Sequence, residues 1–140
     1  MGDLVRVGVR VRVWVGGVAL GVVAAGLGVR AVASGDFAKY AGDALYTVLV
    51  LTLVVLVAPR VRPVVAAGSA LAFSWAVEVF QLSGVPAELA VHSTVARLVL
   101  GTSFNAPDLF WYAIGAVVGW AVHRAVRARG RERQALGTVS

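Results

Sequence analysis

The 140-residue chain contains no cysteine and only four prolines, and charged residues make up just 14% of it. Without cysteine there is no disulfide, no thiolate metal ligand and no thiol nucleophile. Soluble domains carry about 25% charged residues. This shortage of charge accompanies 59% hydrophobic residues and a mean hydropathy of +0.84. The composition therefore indicates a protein that folds in lipid.

Four apolar runs are bounded by charged residues. A spanning helix needs about 20 residues, and these runs reach that length only when boundary acids such as Asp43, Glu78 and Asp108 are included. We therefore predict an all-α membrane protein of four transmembrane helices with acids near their ends. The runs are Val13–Val29, Ala44–Pro59, Pro63–Leu82 and Leu109–Val122.

A fifth segment, Pro86–Leu100, alternates between apolar and polar positions. His92, Ser93 and Arg97 fall at spacings that share one helical face. We expect an amphipathic helix at the membrane interface, between the third and fourth spans.

The N-terminal stretch LVRVGVRVRVWV alternates apolar and basic residues, which is the pattern of a strand. A lone strand has no sheet to join, so we interpret residues 1–12 as a basic cytoplasmic arm. Residues 13–124 then form the membrane domain and residues 125–140 a basic cytoplasmic tail. A cleaved secretory signal is the alternative, but Arg30 precedes the small-residue site at 31–33, and the apolar core exceeds the usual ~7–15 residues.

Arginine placement predicts the orientation, because cytoplasmic loops carry an excess of basic residues. With the N-terminus inside, only Arg30, Lys39 and Arg97 lie outside. Both termini are then cytoplasmic, in an inner membrane. The net charge of +6 thus suits a membrane surface, and we expect the lipid bilayer, not nucleic acid, as partner. The inside arginines are Arg6, Arg10, Arg12, Arg60, Arg62, Arg124, Arg127, Arg129, Arg131 and Arg133.

In this topology three carboxylates from three helices reach a similar depth on the outer side. An ionisable residue inside a span costs about 2.5–3.5 kcal/mol and usually finds a partner in the bundle. The outer-side cations available as that partner are Arg97, Lys39 and Arg30. We favour Arg97, since its segment connects the third and fourth helices. Helical spacing adds further polar groups to each acid. The candidate ligand-binding residues are Asp43, Tyr46, Glu78, Gln81, Arg97, Asp108 and Tyr112.

Structural roles compete with this interpretation. Asp43 and Asp108 each follow a residue typical of a helix start, so both could act only as N-caps. Glu78 could extend to the interface and bind nothing. His92 with scattered acids is weak evidence for zinc, and we expect neither a metal nor a cofactor. A proton relay or a divalent cation at the carboxylates stays open as an alternative.

Glycines recur at helical spacing in the first and fourth spans. Small residues let membrane helices approach closely. Gly115 and Gly119 share a face with Asp108 and Tyr112, which favours an inward-facing Asp108. We predict helix packing at Gly17, Gly21, Gly115 and Gly119, and the first pair could serve a homo-oligomer.

The stretches GDALYTVLV, AVEVFQLSGVP and ARLVLGTSFNAPDLFWYAIGAVVG resemble the bacterial membrane family named domain of unknown function 2809. The resemblance runs from about Gly42 to Gly119. It implies no particular biochemical activity.

The second half also resembles VanZ-like membrane proteins, which implies a link to the cell envelope and to glycopeptide tolerance. The shared pattern comprises a Glu and a Gln three residues apart, an outer turn, and an Asp that opens a last helix with two glycines. Two positions depart from it: Tyr112 stands where those proteins carry Asn, and Asn105 stands near a usual Asp. The matching residues are Glu78, Gln81, Asp108, Gly115 and Gly119.

Four functions fit these features. We favour an outward-facing polar site for an envelope component, such as a lipid-linked headgroup or a cell-wall precursor peptide. A membrane-embedded enzyme could use Glu78 or Asp108 as general acid or base. Proton-coupled transport is a third option. Four helices are few for a carrier, so the chain would have to form an oligomer. The last option is a structural partner of another membrane protein, with the acids as caps.

Overall fold

The computed structural model describes residues 2–139, and this part of the chain consists of helices and short connections. The prediction of an all-α protein is confirmed. A 3₁₀ turn at Gln81–Ser83 follows the third helix. The helices are α1 (Gly2–Val32), α2 (Asp36–Val57), α3 (Pro63–Phe80), α4 (Val85–His92), α5 (Thr94–Leu100) and α6 (Ala106–Gly137).

Four of the helices described, α1, α2, α3 and α6, are long and apolar enough to cross a membrane. Helix α2 has 22 residues, or about 33 Å at 1.5 Å per residue, which matches a hydrocarbon layer of ~30 Å. Valine and leucine side chains project outward from all four helices. The protein is therefore built as a multi-pass membrane protein, as predicted.

The basic N-terminal stretch continues into the first span without a break. Helix α1 runs over 31 residues, so the alternating pattern of residues 4–15 does not form a strand. A helix satisfies its backbone hydrogen bonds internally, which a single strand in lipid cannot do. The predicted boundary at residue 12 is not marked by any break in α1, and α6 likewise extends to Gly137 through most of the predicted tail.

Helix α2 is the centre of the bundle and packs against α1, α3 and α6, while α3 also packs on α6. The core between α2 and α3 is narrow because one side of it is mostly alanine. Small side chains allow membrane helices to approach closely. The core residues are Leu51, Val55, Ala66, Ala67 and Ala70.

The segment predicted as one amphipathic helix is in fact two short helices. Ser93 between α4 and α5 is extended (φ −144°, ψ 117°), and its Oγ accepts a hydrogen bond from the Ala96 N–H at 3.1 Å. Ser93 therefore acts as an N-cap that starts α5 and breaks the helix after His92. The shared face predicted for His92, Ser93 and Arg97 was wrong for this reason.

The bundle has two chemically different ends. The acidic end carries Asp43, Glu78 and Asp108, where α2 and α6 begin and α3 finishes. The basic end carries Arg10 of α1, Arg60 of the α2–α3 turn and Arg127 of α6. Arg127 Nη1 donates to the Val61 carbonyl at 2.7 Å, which ties α6 to that turn.

Candidate functional site: the acidic end of the bundle

Glu78 is completely buried, with 0% exposure, near the end of α3. The Asn105 backbone N–H donates to its Oε1 at 2.6 Å, and the Tyr112 hydroxyl donates to its Oε2 at 3.0 Å. A buried carboxylate is costly unless it is hydrogen-bonded, and both oxygens here are satisfied, one by the N-cap residue of α6 and one by a tyrosine in its second turn. Glu78 therefore joins α3 to α6, and the alternative in which its side chain extends to the interface was wrong.

Lys39 bridges two aspartates from different helices. Its Nζ donates to Asp108 Oδ1 and lies 3.8 Å from Asp43 Oδ2. The Lys39 side chain is 44% exposed, whereas those of Asp43 and Asp108 are 18% and 6% exposed. The Asn105 Nδ2 amide also donates to Asp108 Oδ1, at 2.5 Å. The site thus contains buried acids and a cation that reaches in from the surface.

The capping interpretation fails for Asp43 and does not account for Asp108. Helix α2 begins at Asp36, so Asp43 lies two turns inside it, beyond the unpaired N–H groups of the first turn. Asp108 lies in the first turn of α6, but the N-cap position is Asn105 and no side chain caps that helix. Both aspartates instead face the neighbouring helices.

Two buried acceptor atoms beside these pairs have no hydrogen-bond partner in the described chain. They are Asp43 Oδ2 and Gln81 Oε1, and the Tyr46 hydroxyl is buried and unpartnered as well. The Tyr46 ring lies against that of Tyr112, with centroids 6.0 Å apart. Buried polar atoms usually have partners, so each of these three has bonding capacity left for another molecule.

Gln81 holds the turn that precedes α6. Its Nε2 donates to the Leu100 carbonyl at 2.6 Å. The next residue, Gly101, has φ +69°, a left-handed conformation that favours glycine, and a Cβ there would collide with the Gln81 amide. Gly101 therefore permits the close approach of the α5–α6 connection to Gln81.

Arg97 does not pair with the acids. It is exposed on α5, and its Nη2 donates to the Ala90 carbonyl at 3.1 Å. The predicted ion pair between Arg97 and the acids was wrong. Because the helix breaks at Ser93, the Arg97 side chain on α5 lies against α4 and bonds to its backbone. A direct contact between Arg97 and a ligand stays a prediction.

Aromatic rings surround the start of α6. Tyr40 stacks on Trp111 with centroids 5.2 Å apart, and Phe110 meets Trp111 edge-on at 5.4 Å. Trp75 Nε1 donates to the Leu109 carbonyl at 3.0 Å. These contacts fix the first turns of α6 against α2 and α3, and with them the positions of Asp108 and Tyr112.

The α6 glycines lie at the contact with α2. A Cβ on Gly115 would fall on the Ala44 backbone, 2.9 Å from its Cα, and a Cβ on Gly119 would lie 2.7 Å from Leu51 Cδ1. This close approach is what brings Asp108 and Asp43 together. A Cβ on Gly17 or Gly21 of α1 would meet nothing within 4 Å, so a packing role for that pair would need a second molecule.

Lys39 and Asn105 belong to the site although neither is among the predicted ligand-binding residues, and Lys39 was expected only as an alternative to Arg97. Lys39 precedes Asp43 by four residues, a spacing that favours an ion pair on one helical face, and that signal was available. Asn105 contributes its backbone N–H to Glu78 and its amide to Asp108. Only the path of the turn before α6 reveals that double role.

The site can hold charge and hydrogen bonds but has no dedicated metal cage. Within residues 2–139, no three His, Cys, Asp or Glu side chains are grouped as metal ligands. Two carboxylates, those of Asp43 and Asp108, share the one Lys39 ammonium group, so this pair carries an excess of acceptors. It is suited to a ligand that supplies hydrogen-bond donors or positive charge.

A protein-family model described as protein of unknown function (DUF2809) matches residues 32–116. This range is more than half of the chain and includes every residue of the acidic end discussed above. No curated protein and no solved structure matches the chain. The resemblance to VanZ-like proteins stays a prediction. The resemblance to DUF2809 noted from the sequence is confirmed by the family match, and the chain belongs to the DUF2809 family.

Proposed function

We propose that the acidic end is a binding site for an envelope component that presents amine or hydroxyl groups. The observation that carries this proposal is that Asp43 Oδ2 and Tyr46 OH are buried without a hydrogen bond in the described chain, beside the Lys39–Asp108 ion pair. Asp43 Oδ2 has only the longer ion-pair contact with Lys39, at 3.8 Å. An ammonium group would complete the charge balance there, and hydroxyl groups would satisfy the free acceptors. The cluster opens to solvent at Lys39, which gives such a group a path of entry.

We infer that this end faces the extracytoplasmic side of an inner membrane, with both termini in the cytoplasm. The support is the arginine distribution, since Arg10, Arg60 and Arg127 all lie at the opposite end. A lipid-linked headgroup or a cell-wall peptide carries the amines and hydroxyls that the site would accept. The resemblance to VanZ-like proteins agrees with an envelope role.

The competing role is structural. Both carboxylate oxygens of Glu78 accept hydrogen bonds from Asn105 and Tyr112. Glu78 can therefore connect α3 to α6 without any ligand. The two roles separate at Asp43 and Tyr46, because Asp43 Oδ2 and the Tyr46 hydroxyl are buried and make no hydrogen bond within the described chain. A purely structural site would tolerate changes at those two residues.

The test compares Asp43→Asn with Asp36→Asn, a matched control at an exposed acid in the first turn of α2. Each protein is extracted in native membrane discs, and the molecules that copurify are identified by mass spectrometry. We expect the wild type and D36N to retain an amine- or hydroxyl-bearing molecule that D43N loses, while all three melt at similar temperatures. Equal retention by D43N, or no such molecule on the wild type, would overturn the proposal.

A further inference from the structure

A long groove runs along the basic end between α1 and α6, with α2 as its floor. It arises because α1 packs chiefly on α2, which leaves α1 and α6 apart. Its walls are valines together with Trp14, and its volume is about 780 Å³. That volume falls within the range of about 300–1,000 Å³ typical of ligand sites.

Three basic side chains line this groove, and no acid does. They are Arg10 of α1, and His123 and Arg127 of α6. Arg127 Nη1 donates to the Val61 carbonyl, and the other N–H groups of its guanidinium remain available as donors. His123 Nδ1 is buried without a partner among the described residues. The polar end of the groove is thus complementary to an anion.

A second, smaller cavity of about 450 Å³ adjoins the first and shares Val9 and Pro59 with it. It is lined by Arg12 and Arg60, again without an acid. Arginines from α1, the α2–α3 turn and α6 therefore surround one region of otherwise apolar surface. Basic pockets between spanning helices are suited to anionic lipid headgroups.

We propose that this groove binds an anionic phospholipid. Its acyl chain lies between α1 and α6 against Val18 and Val118, and its phosphate accepts hydrogen bonds from Arg10 and Arg127. An acyl chain suits walls that are apolar and open sideways to the membrane, and a phosphate suits the uncompensated cations. This site is separate from the acidic end and does not depend on the function proposed there.

The test measures binding of phosphatidylglycerol and phosphatidylcholine to the purified full chain by native mass spectrometry in mixed-lipid discs. Because a basic residue near anionic lipid contributes about 1 kcal/mol, two arginines predict a preference for phosphatidylglycerol of roughly tenfold or more. The double variant Arg10→Gln, Arg127→Gln should lose most of that preference. The matched control is Arg129→Gln, Arg133→Gln, which removes the same charge from exposed α6 positions outside the groove.

Two further variants keep the test decisive if the loss of the Arg127–Val61 bond disturbs folding. Arg10→Gln alone should weaken the preference several-fold with an unchanged melting temperature. Val118→Trp should fill the groove and reduce occupancy by both lipids, while Val117→Trp, an exposed neighbour outside the lining, should not. An equal preference in R10Q, an equal loss in the control pair, or a second copy of the chain occupying the groove would overturn the proposal.

Discussion

Tyr112 of α6 donates its hydroxyl hydrogen to Oε2 of Glu78 on α3, at 3.0 Å. Both residues are buried, and Glu78 has no exposed surface. This bond, together with the Asn105 N–H, satisfies a carboxylate that would otherwise be unpaired in a membrane. The most polar residue of α3 thereby becomes a point of attachment between two spans.

Removal of that hydroxyl should weaken the bundle. We expect Tyr112→Phe to lower the free energy of unfolding by about 1.5–3 kcal/mol, the range for hydrogen bonds to charged groups. The measurement is unfolding of the protein in detergent or lipid discs, followed by circular dichroism. Tyr46→Phe is the matched control, because the Tyr46 hydroxyl has no partner in the described chain. It should change stability little, and a loss equal to that of Y112F would contradict this account.

Lys39 should stabilise the fold although its side chain is 44% exposed, because it pairs with two aspartates that are mostly buried. In Lys39→Met the Asp43 and Asp108 carboxylates face each other without a cation. Breaking a buried pair costs about 3–5 kcal/mol. We expect about 1–3 kcal/mol here, since Lys39 is partly exposed and solvent screens the pair.

The comparison for K39M is Arg97→Gln, which should cost less than about 1 kcal/mol because Arg97 is exposed and donates only to the Ala90 carbonyl. Adding Asp108→Asn to K39M should recover part of the loss. A K39M protein as stable as the wild type would remove Lys39 from the site.

Gly115 should tolerate no side chain. In Gly115→Ala the new Cβ meets the Ala44 backbone, which cannot rotate away as a side chain can. We expect a loss of about 1–3 kcal/mol from overpacking, or failure to fold, in the same unfolding assay. Gly68→Ala is the control, because a Cβ there meets nothing within 4 Å. It should be neutral or gain up to about 1 kcal/mol from helix propensity.

The topology can be tested without background labelling, since the chain contains no cysteine. Single substitutions Ser34→Cys and Ser103→Cys lie in the connections at the acidic end, and Thr138→Cys follows α6 at the basic end. We expect a membrane-impermeant thiol reagent added to intact cells to label the first two and not the third. Labelling of all three, or of position 138 alone, would contradict the proposed orientation.

The number of spans and the polar residues among them could be predicted from the sequence, because runs of about 20 apolar residues and isolated acids are local features. The start of α2 could not, since Asp36 and Lys39 interrupt the apolar run although both are helical. The break at Ser93 was also missed, because a serine inside an amphipathic pattern does not reveal that its side chain caps a new helix.

What the sequence by itself determined is the class of the protein and the faces of its helices: four hydrophobic spans, acids toward one end, arginines toward the other, and glycines in line with Asp108. What only the tertiary structure decided is which groups meet. Lys39 rather than Arg97 pairs with the aspartates. Asn105 and Tyr112 donate the hydrogen bonds that satisfy the Glu78 carboxylate. The physical reason is that charge and hydropathy act along one helix, whereas a partner depends on how closely separate helices approach, and that approach is set by Gly115 against Ala44.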